Sequence, residues 1–375
     1  MLKVDKRKNI VSPQGFKAAG FACGLKKSGK PDLALIFSEV PATAAGVFTT
    51  NQVKAAPIIY SQKQIRSGIA QAIIVNSGNA NCWTGTYGFQ DAKIMAQEAA
   101  KALKIPPKQV LVASTGVIGV PLPMEKIKRG IKVVARRISD HGFLEAASAI
   151  LTTDTRPKIA SIKVGKITIL GLAKGSGMIA PGMATMQAFI LTDALISKSL
   201  LRRILRKVVD KSFNMISVDN CMSTNDCVFA LANGMSGVRV KGQGSRTRFA
   251  QAFEKICIYL SREIARDGEG ATKLIEVRVK GARNRKEAQT AVKALIGSFL
   301  LKAAVYGKDR NFGRILQAVG ATEIKVNWKK FKWDWKMKKK EDIITVDLSS
   351  GKASAVGWGC DLTEGYVRIN AKYHT

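Results

Sequence analysis

A glycine-rich segment near the middle of the chain, residues 174–189, restricts the possible fold more than any other stretch. Three glycines in it allow backbone angles that other residues avoid, and Pro181 fixes one turn. The apolar residues 186–191 follow at once and predict a strand. Thr185 therefore stands where a turn-rich loop meets a strand, so its hydroxyl can press against the preceding peptide bond.

Spacing alone leaves two interpretations of this segment open. Lys174 and the glycines after it could form a loop that cradles a phosphate, or the segment could be an ordinary connection between strands. The dinucleotide-binding pattern and the P-loop pattern are both unmatched. Spacing therefore favours the ordinary connection.

Apolar periodicity along the whole chain predicts a mixed α/β protein. The chain has 375 residues, 46% of them hydrophobic, which is enough for a large core. The predicted strands are residues 33–37, 46–49, 56–60, 72–75, 109–113, 159–164, 166–172 and 186–191. The predicted helices are residues 89–103, 124–138, 142–150, 197–214, 246–266 and 285–301.

The charge of the chain would suit a nucleic-acid partner. Lys and Arg number 61 against 27 Asp and Glu, for a formal net charge of +34. The densest aromatic and basic run, residues 328–340, fits a stacking platform for bases or a β-hairpin arm with its aromatic side chains turned to the core. The alternation of aromatic and charged residues favours the hairpin arm.

Histidine and cysteine usage restricts the chemistry. With only His141 and His374, a Ser-His-Asp mechanism or a multi-histidine metal site is hard to build. Six cysteines without a CxxC pair signal neither zinc nor a disulfide framework. A newly exposed α-amino group is an alternative base. The N-terminus lacks an apolar signal region, and no stretch approaches the roughly 18 apolar residues of a membrane span, so we expect a cytoplasmic protein without membrane association.

Several motifs resemble one family. Residues 174–186 resemble the self-cleavage segment of the ornithine acetyltransferases, also called the glutamate N-acetyltransferases of arginine biosynthesis. Residues 48–57 and 223–226 match further family motifs in order, and residues 370–375 resemble the family's C-terminal motif except at Lys372 and His374. The resemblance therefore covers almost the whole chain. Residues 309–313 depart from the family pattern, with arginine and phenylalanine in place of proline and tryptophan.

This resemblance implies a fold and a maturation step. The implied fold is the layered α/β sandwich of the ornithine acetyltransferases. The chain is expected to cleave itself between Ala184 and Thr185, which gives an N-terminal chain of residues 1–184 and a C-terminal chain of residues 185–375. Two copies of each would form a heterotetramer.

The resemblance also implies roles for individual residues. Thr185 becomes the nucleophile, and Thr115 and Gly116 form the oxyanion hole, although these two residues alone would suggest a turn. The implied substrate contacts are Thr153, Lys174, Thr185, Glu269, Asn370 and Thr375. Thr153 could instead cap a helix, and Glu269 could instead be an exposed turn residue. We expect Lys174 to face a substrate carboxylate and Glu269 an ammonium group.

The implied activity moves the acetyl group of N-acetylornithine to glutamate through an acetyl-threonine intermediate. No metal or cofactor is expected, and acetyl-CoA stays open as a second donor. Two alternative functions remain. A self-processing amidase or aminopeptidase would pass the acyl group to water, and the charge alone suggests nucleic-acid binding, although we expect no specific nucleic-acid partner.

Overall fold

Nine strands form the larger of two β-sheets in the computed structural model, which describes residues 4–6, 9–180 and 186–372. Most of these strands are apolar on both faces, as expected for strands covered on both sides. They are β1 (Val4–Lys6), β2 (Phe16–Phe21), β3 (Leu33–Phe48), β4 (Ile69–Asn79), β5 (Val110–Val117), β6 (Lys158–Val164), β7 (Ile167–Lys174), β8 (Gln187–Thr192) and β10 (Cys227–Ala232).

The second sheet has five strands, in the order β12-β13-β11-β14-β9. They are β9 (Ile216–Ser217), β11 (Leu274–Ala282), β12 (Lys332–Met337), β13 (Glu341–Asp347) and β14 (Ala353–Cys360). Parallel pairing of β11 with β13 and antiparallel pairing of β11 with β14 make this a mixed sheet.

Helices cover and separate the two sheets. They are α1 (Ala56–Gln64), α2 (Gly85–Leu103), α3 (Met124–Arg136), α4 (Phe143–Ala149), α5 (Lys198–Val209), α6 (Gln243–Arg266), α7 (Arg285–Gly297), α8 (Phe299–Tyr306), α9 (Phe312–Gly320) and α10 (Glu364–Asn370). The long helix α6 packs on β6 and β7 on one side and on β11 and β14 on the other. Side chains of α6, the first sheet and the second sheet share one core, so the structure confirms the layered α/β fold.

Strands from both sides of residues 181–185 join in the larger sheet. Its order is β1-β6-β7-β8-β10-β3-β4-β5, with β2 beside β3. Strand β8 pairs antiparallel with β7, placing Lys174 opposite Gln187, and parallel with β10, which in turn pairs with β3. The C-terminal part of the chain therefore supplies the two central strands of a sheet whose flanks come from the N-terminal part.

Three predictions of secondary structure are corrected. Residues 33–37 and 46–49, predicted as two strands, belong to the single strand β3, because residues 38–41 interrupt its apolar pattern and its register without ending it. Residues 56–60, predicted as a strand, begin α1, whose first turn accommodates Pro57. Periodicity cannot separate a short apolar strand from a short helix, and here Ile58 and Tyr60 are buried while Ile59 is exposed. The single predicted helix at residues 285–301 is two helices, because Ser298 ends α7 and its side chain caps α8.

Within the described ranges, no single helix has the length and apolarity to cross a membrane. Helices α7 and α8 satisfy that criterion only as a pair, with a bend of 55° between them.

The aromatic and basic run forms a strand of a hairpin arm, as its alternation favours, but its aromatic side chains do not all turn to the core: Trp328 is 50% exposed and Trp333 40%. Strands β12 and β13 pair antiparallel, and Trp335 of β12 is buried. Trp333 shares its face of the strand and stacks on Phe312 with ring centroids 5.5 Å apart. Lys332 and Lys336 lie on the opposite, exposed face.

A buried charge cluster joins α6, β6 and the start of the glycine-rich segment. Lys158 Nζ lies 2.6 Å from Asp154 Oδ1 and 2.6 Å from Asp267 Oδ2, and all three side chains are buried. Burial would raise the pKa of Asp154, but the charges of Lys158 and Lys174 outweigh burial and hold that pKa below its usual range. The same Asp154 oxygen accepts a hydrogen bond from Gly175 N at 2.7 Å. The cluster thus fixes the residue that follows β7.

Replacing Lys158 with methionine should destabilise the fold by about 3–5 kcal/mol, because the buried Asp154 and Asp267 would lose the cation that they share. Urea denaturation in a Thr185→Ala background, in which we expect a single chain, measures this loss. Lys128→Met removes an exposed pair with Glu125 and should leave the midpoint unchanged. Equal effects of the two substitutions would contradict a structural role for the cluster.

Candidate active site

A cavity of about 100 Å³ lies where β5 and β7 end, between loops from both halves of the chain. Its wall contains hydroxyl, amide, lysine and carboxylate side chains beside small residues. The lining residues are Ala80, Thr115, Gly116, Ile118, Thr152, Thr153, Lys174, Gly177, Met178, Ser223, Thr224, Asn225, Glu269 and Asn370. Such a group of convergent polar side chains marks this cavity as the candidate active site.

Thr115 and Gly116 reach the cavity from the end of β5. Gly116 has a φ of +133°, and a Cβ on it would lie 2.3 Å from Gly78 C, so only glycine fits against β4 here. A bulky residue at position 116 would push on the sheet as well as on the site. Position 115 therefore offers the cleaner test of an oxyanion hole.

The peptide before Thr115 is held by two buried amide side chains. Ser114 O accepts hydrogen bonds from Gln187 Nε2 at 2.7 Å and from Asn225 Nδ2 at 2.8 Å. Both donors come from the C-terminal half of the chain, Gln187 from β8 and Asn225 from the loop before β10. The backbone at the candidate oxyanion hole is therefore fixed across the two halves.

Lys174, the last residue of β7, presents a buried cation to the cavity. Its Nζ donates a hydrogen bond to Thr115 Oγ1 at 3.2 Å. Burial lowers the pKa of Lys174, and the nearby charge of Asp154 opposes that shift.

Glu269 is held at the cavity by neutral donors. Its Oε1 accepts from Thr153 Oγ1 at 2.6 Å, and its Oε2 accepts from Asn370 Nδ2 at 2.8 Å. The Thr153 hydroxyl also lies 2.7 Å from Ser176 Oγ. Among the residues that the structure describes, no cation forms an ion pair with Glu269, so its charge remains available to a ligand.

Gly177 is required by the close approach of Glu269. A Cβ on Gly177 would lie 2.3 Å from Glu269 Cδ and 2.4 Å from Oε1. The backbone N–H of Glu269 also donates to Ser176 O at 2.8 Å. The glycine-rich segment and the Glu269 turn are therefore in direct contact.

Two aspartates, Asp219 and Asp226, hold the chain on either side of residues 181–185. Asp219 accepts hydrogen bonds from Met178 N at 2.6 Å and Ile179 N at 2.8 Å. Asp226 Oδ1 accepts from Met186 N at 2.9 Å. The ends of the described chain next to Thr185 are thereby anchored to one polar loop.

Burial raises the pKa of Asp226 well above its usual range, although the Met186 N–H and the charge of Lys174 oppose the shift. Its Oδ2 is buried and has no hydrogen-bond partner in the described part of the chain. Asp226 ends the family motif at residues 223–226, and the motif alone assigns this aspartate no role. A carboxylate at the end of a family motif was the available signal.

The structure brings six of the proposed site residues to one cavity: Thr115, Gly116, Thr153, Lys174, Glu269 and Asn370. Ala184, Thr185 and Thr375 lie outside the described residues. Asp154, Ser176 and Gln187, which support the site from behind, were not singled out from the sequence. No group of three or more His, Cys, Asp or Glu side chains in the described ranges could hold a metal ion.

The chain matches the ArgJ family over residues 17–335 and 329–375. It is 47% identical over 395 residues to the arginine biosynthesis bifunctional protein ArgJ of Symbiobacterium thermophilum, with 98% of each chain covered. The identity to the protein of the same name from Caldanaerobacter subterraneus is 47% over 397 residues, again with 98% of each covered.

Among solved structures, the chain is similar to an ornithine acetyltransferase from Mycobacterium tuberculosis in complex with ornithine. The identity is 42% and the TM-score 0.47, with 50% of this chain and 100% of that chain covered. The matches to the family and to its curated relatives span nearly the whole sequence. The chain therefore belongs to the ArgJ family of acetyltransferases of arginine biosynthesis.

Proposed function

We propose that this protein is a glutamate N-acetyltransferase that moves the acetyl group of N2-acetylornithine to glutamate in the cytoplasm. The main support for this proposal is that Thr115, Lys174, Glu269 and Asn370 line one cavity. The segment that leads to Thr185 lies beside it. Family membership supports the same reaction.

Maturation is the first step of the proposal. Thr185 Oγ attacks the Ala184 carbonyl, the peptide C–N bond breaks, and water hydrolyses the resulting ester. The products are chains of residues 1–184 and 185–375. They stay together, because β8 and β10 of the second chain lie between β7 and β3 of the first. A heterotetramer of two copies of each is part of the proposal.

The acetyl transfer then proceeds in two half-reactions. Thr185 Oγ attacks the acetyl carbonyl, and the Thr185 α-amino group, with a reference pKa of about 7.7–8, takes the hydroxyl proton. The amide C–N bond breaks, and the proton passes to the leaving nitrogen of ornithine. The amine of glutamate attacks the acetyl-threonine ester, the C–O bond breaks, and a proton returns to Thr185 Oγ as N-acetylglutamate leaves.

Thr115 Oγ1 and Gly116 N are the proposed donors to the oxyanion of each half-reaction. Their positions are set by the Ser114 peptide and by the contact of Gly116 with β4. Donors that are fixed before the reaction lose no energy to reorganisation when the charge develops.

Glu269 is the proposed partner of the side-chain ammonium of ornithine. It is 8% exposed, and both of its oxygens are oriented by neutral donors from Thr153 and Asn370. A carboxylate oriented by neutral donors keeps its full charge for the substrate.

We extend the proposal to acetyl-CoA as a second acetyl donor, since the relatives are named bifunctional proteins. Formation of N-acetylglutamate from acetyl-CoA and glutamate, without N-acetylornithine, decides between one donor and two. Release of ornithine from N-acetylornithine, measured with and without glutamate, tests the amidase alternative. A hydrolase would release ornithine without glutamate, because it needs only water.

Purified protein should give two fragments under denaturing conditions, with masses of residues 1–184 and 185–375, because the Thr185 hydroxyl cleaves the bond before it. Thr185→Ala should remain one chain, whereas the control Thr247→Ala, on the exposed side of α6, should be cleaved. Mass spectrometry makes the measurement. An intact wild-type chain with full transferase activity would exclude the maturation step.

Glu269→Gln should weaken binding of N-acetylornithine by about 1.5–3 kcal/mol, the scale of a charged hydrogen bond. Its amide group can donate to Thr153 Oγ1, which donates to Ser176, while the amide oxygen still accepts from Asn370. The local structure is thereby kept. The measurement is kcat/KM for N-acetylornithine and for N-acetylnorvaline, which has no ammonium group.

The matched control is Glu254→Gln, which removes the same charge from a pair with Lys211 outside the cavity. Its rates should equal those of the wild type. If Glu269→Gln slowed both donors equally, Glu269 would be structural and would not recognise the ammonium group.

Gly177→Ala should lower kcat/KM for N-acetylornithine at least about tenfold, about 1.4 kcal/mol, because the new methyl group displaces the Glu269 carboxylate. Gly244→Ala is the control, since a Cβ there meets no atom within 4 Å. Steady-state kinetics of the cleaved variants makes the comparison. Wild-type rates in Gly177→Ala would show that the position of Glu269 does not matter.

A further inference from the structure

Lys174 and Thr115 form a buried donor pair at the centre of the candidate site. Lys174 is 2% exposed, and its Nζ lies 3.2 Å from Thr115 Oγ1. Across the described residues, Lys174 has no ion pair within 4.0 Å, although the charges of Asp154, Asp226 and Glu269 all act on it. The contact that Lys174 makes is therefore with a hydroxyl group and not with a carboxylate.

The direction of this hydrogen bond determines what Thr115 can do. A charged lysine has only donors, so Thr115 Oγ1 is the acceptor. The hydroxyl carries one proton, and that proton is left for a different acceptor. Because Thr115 lines the cavity, its hydroxyl can donate there. A hydroxyl that accepts from a cation is also a stronger donor, since neighbouring hydrogen bonds polarise one another.

Each of the three acidic side chains around Lys174 accepts hydrogen bonds from groups other than Lys174. Asp154 Oδ1 accepts from Lys158 Nζ and from Gly175 N. Asp226 Oδ1 accepts from Met186 N, and Glu269 accepts from Thr153 and Asn370. These partners hold the three acidic side chains in place, and in the described residues none of the three lies within 4.0 Å of Lys174 Nζ as an ion pair.

We propose that Lys174 is a positioning residue of the oxyanion hole, which acts through Thr115 by directing and strengthening the donation of its hydroxyl proton to the oxyanion. This inference rests on the proposed acetyl transfer and deepens it. It replaces the expectation that Lys174 serves chiefly to bind a substrate carboxylate.

The test is a double-mutant cycle of Lys174→Met and Thr115→Val, with N-acetylornithine and glutamate as substrates. Mass spectrometry first gives the cleaved fraction of each variant, and turnover is expressed per cleaved molecule. Thr115→Val should lower kcat roughly a hundred- to a thousandfold, the usual cost of one oxyanion donor. Lys174→Met should lower kcat about tenfold or more and change KM less than about threefold.

The double variant decides between the two roles. If Lys174 acts through Thr115, adding Lys174→Met to Thr115→Val lowers kcat by less than about threefold further. In a Thr115→Ser background, which keeps the hydroxyl, the full effect of Lys174→Met should return. If Lys174→Met lowered kcat by its full factor in the Thr115→Val background as well, so that the two losses multiplied, the proposal would be overturned.

A substrate without a carboxylate supplies an independent readout. N-acetylputrescine is N-acetylornithine without its carboxylate but with the same acetamide and ammonium groups. Lys174→Met should lower kcat by the same factor for both donors. A loss confined to N-acetylornithine, or a KM raised more than tenfold, would return Lys174 to carboxylate binding.

If Lys174→Met is not cleaved, Lys174→Gln takes its place in the cycle. This substitution keeps a hydrogen-bond donor at position 174 but removes the charge. Wild-type protein that fails to form N-acetylglutamate from N-acetylornithine would refute the proposed function itself. Wild-type transfer with multiplying losses in the cycle would refute only the role of Lys174.

Discussion

The buried pairing of Asp154 with Lys158 is the interaction on which the site depends. One oxygen of Asp154 accepts both Lys158 Nζ and Gly175 N, so the charge pair in the sheet also fixes the first residue of the glycine-rich segment. Charges removed from water are stable only when paired and hydrogen-bonded, which leaves this arrangement little freedom. Lys174, one residue earlier, is thereby held at the end of β7, where its Nζ reaches Thr115.

The site exists only where the two halves of the chain meet. Thr115, Thr153 and Lys174 precede Thr185, whereas Asn225, Glu269 and Asn370 follow it. The hydrogen bonds from Thr153 to Glu269 and from Asn225 to Ser114 O cross from one half to the other, as do the pairings of β7 with β8 and of β3 with β10. Cleavage between residues 184 and 185 would therefore free an α-amino group without separating the parts of the site, because the strand pairings of the sheet would still hold the two chains together.

Much of the fold could be predicted from the sequence, because the long helices have clear periodicity and the strands β4, β7 and β8 contain continuous apolar runs. The errors lie in short apolar segments: residues 56–60 have the composition of a strand but begin α1. Resemblance located the six described site residues. It could not reveal that Lys174 contacts Thr115, that Gln187 and Asn225 share Ser114 O, or that Gly177 touches Glu269, because these contacts join residues far apart in the chain.

The net charge of +34 describes the surface and not the site. Exposed arginines such as Arg202 and Arg203 on α5 contribute to that excess. Around the cavity, Asp154, Asp219, Asp267 and Glu269 outnumber Lys158 and Lys174. Surface charges are screened over about 8–10 Å at physiological salt, and buried charges are screened much less. A substrate with an ammonium group would therefore interact with Glu269 and its neighbours once it is inside the cavity. The net charge, which alone suggests nucleic-acid binding, does not describe the chemistry of this cavity.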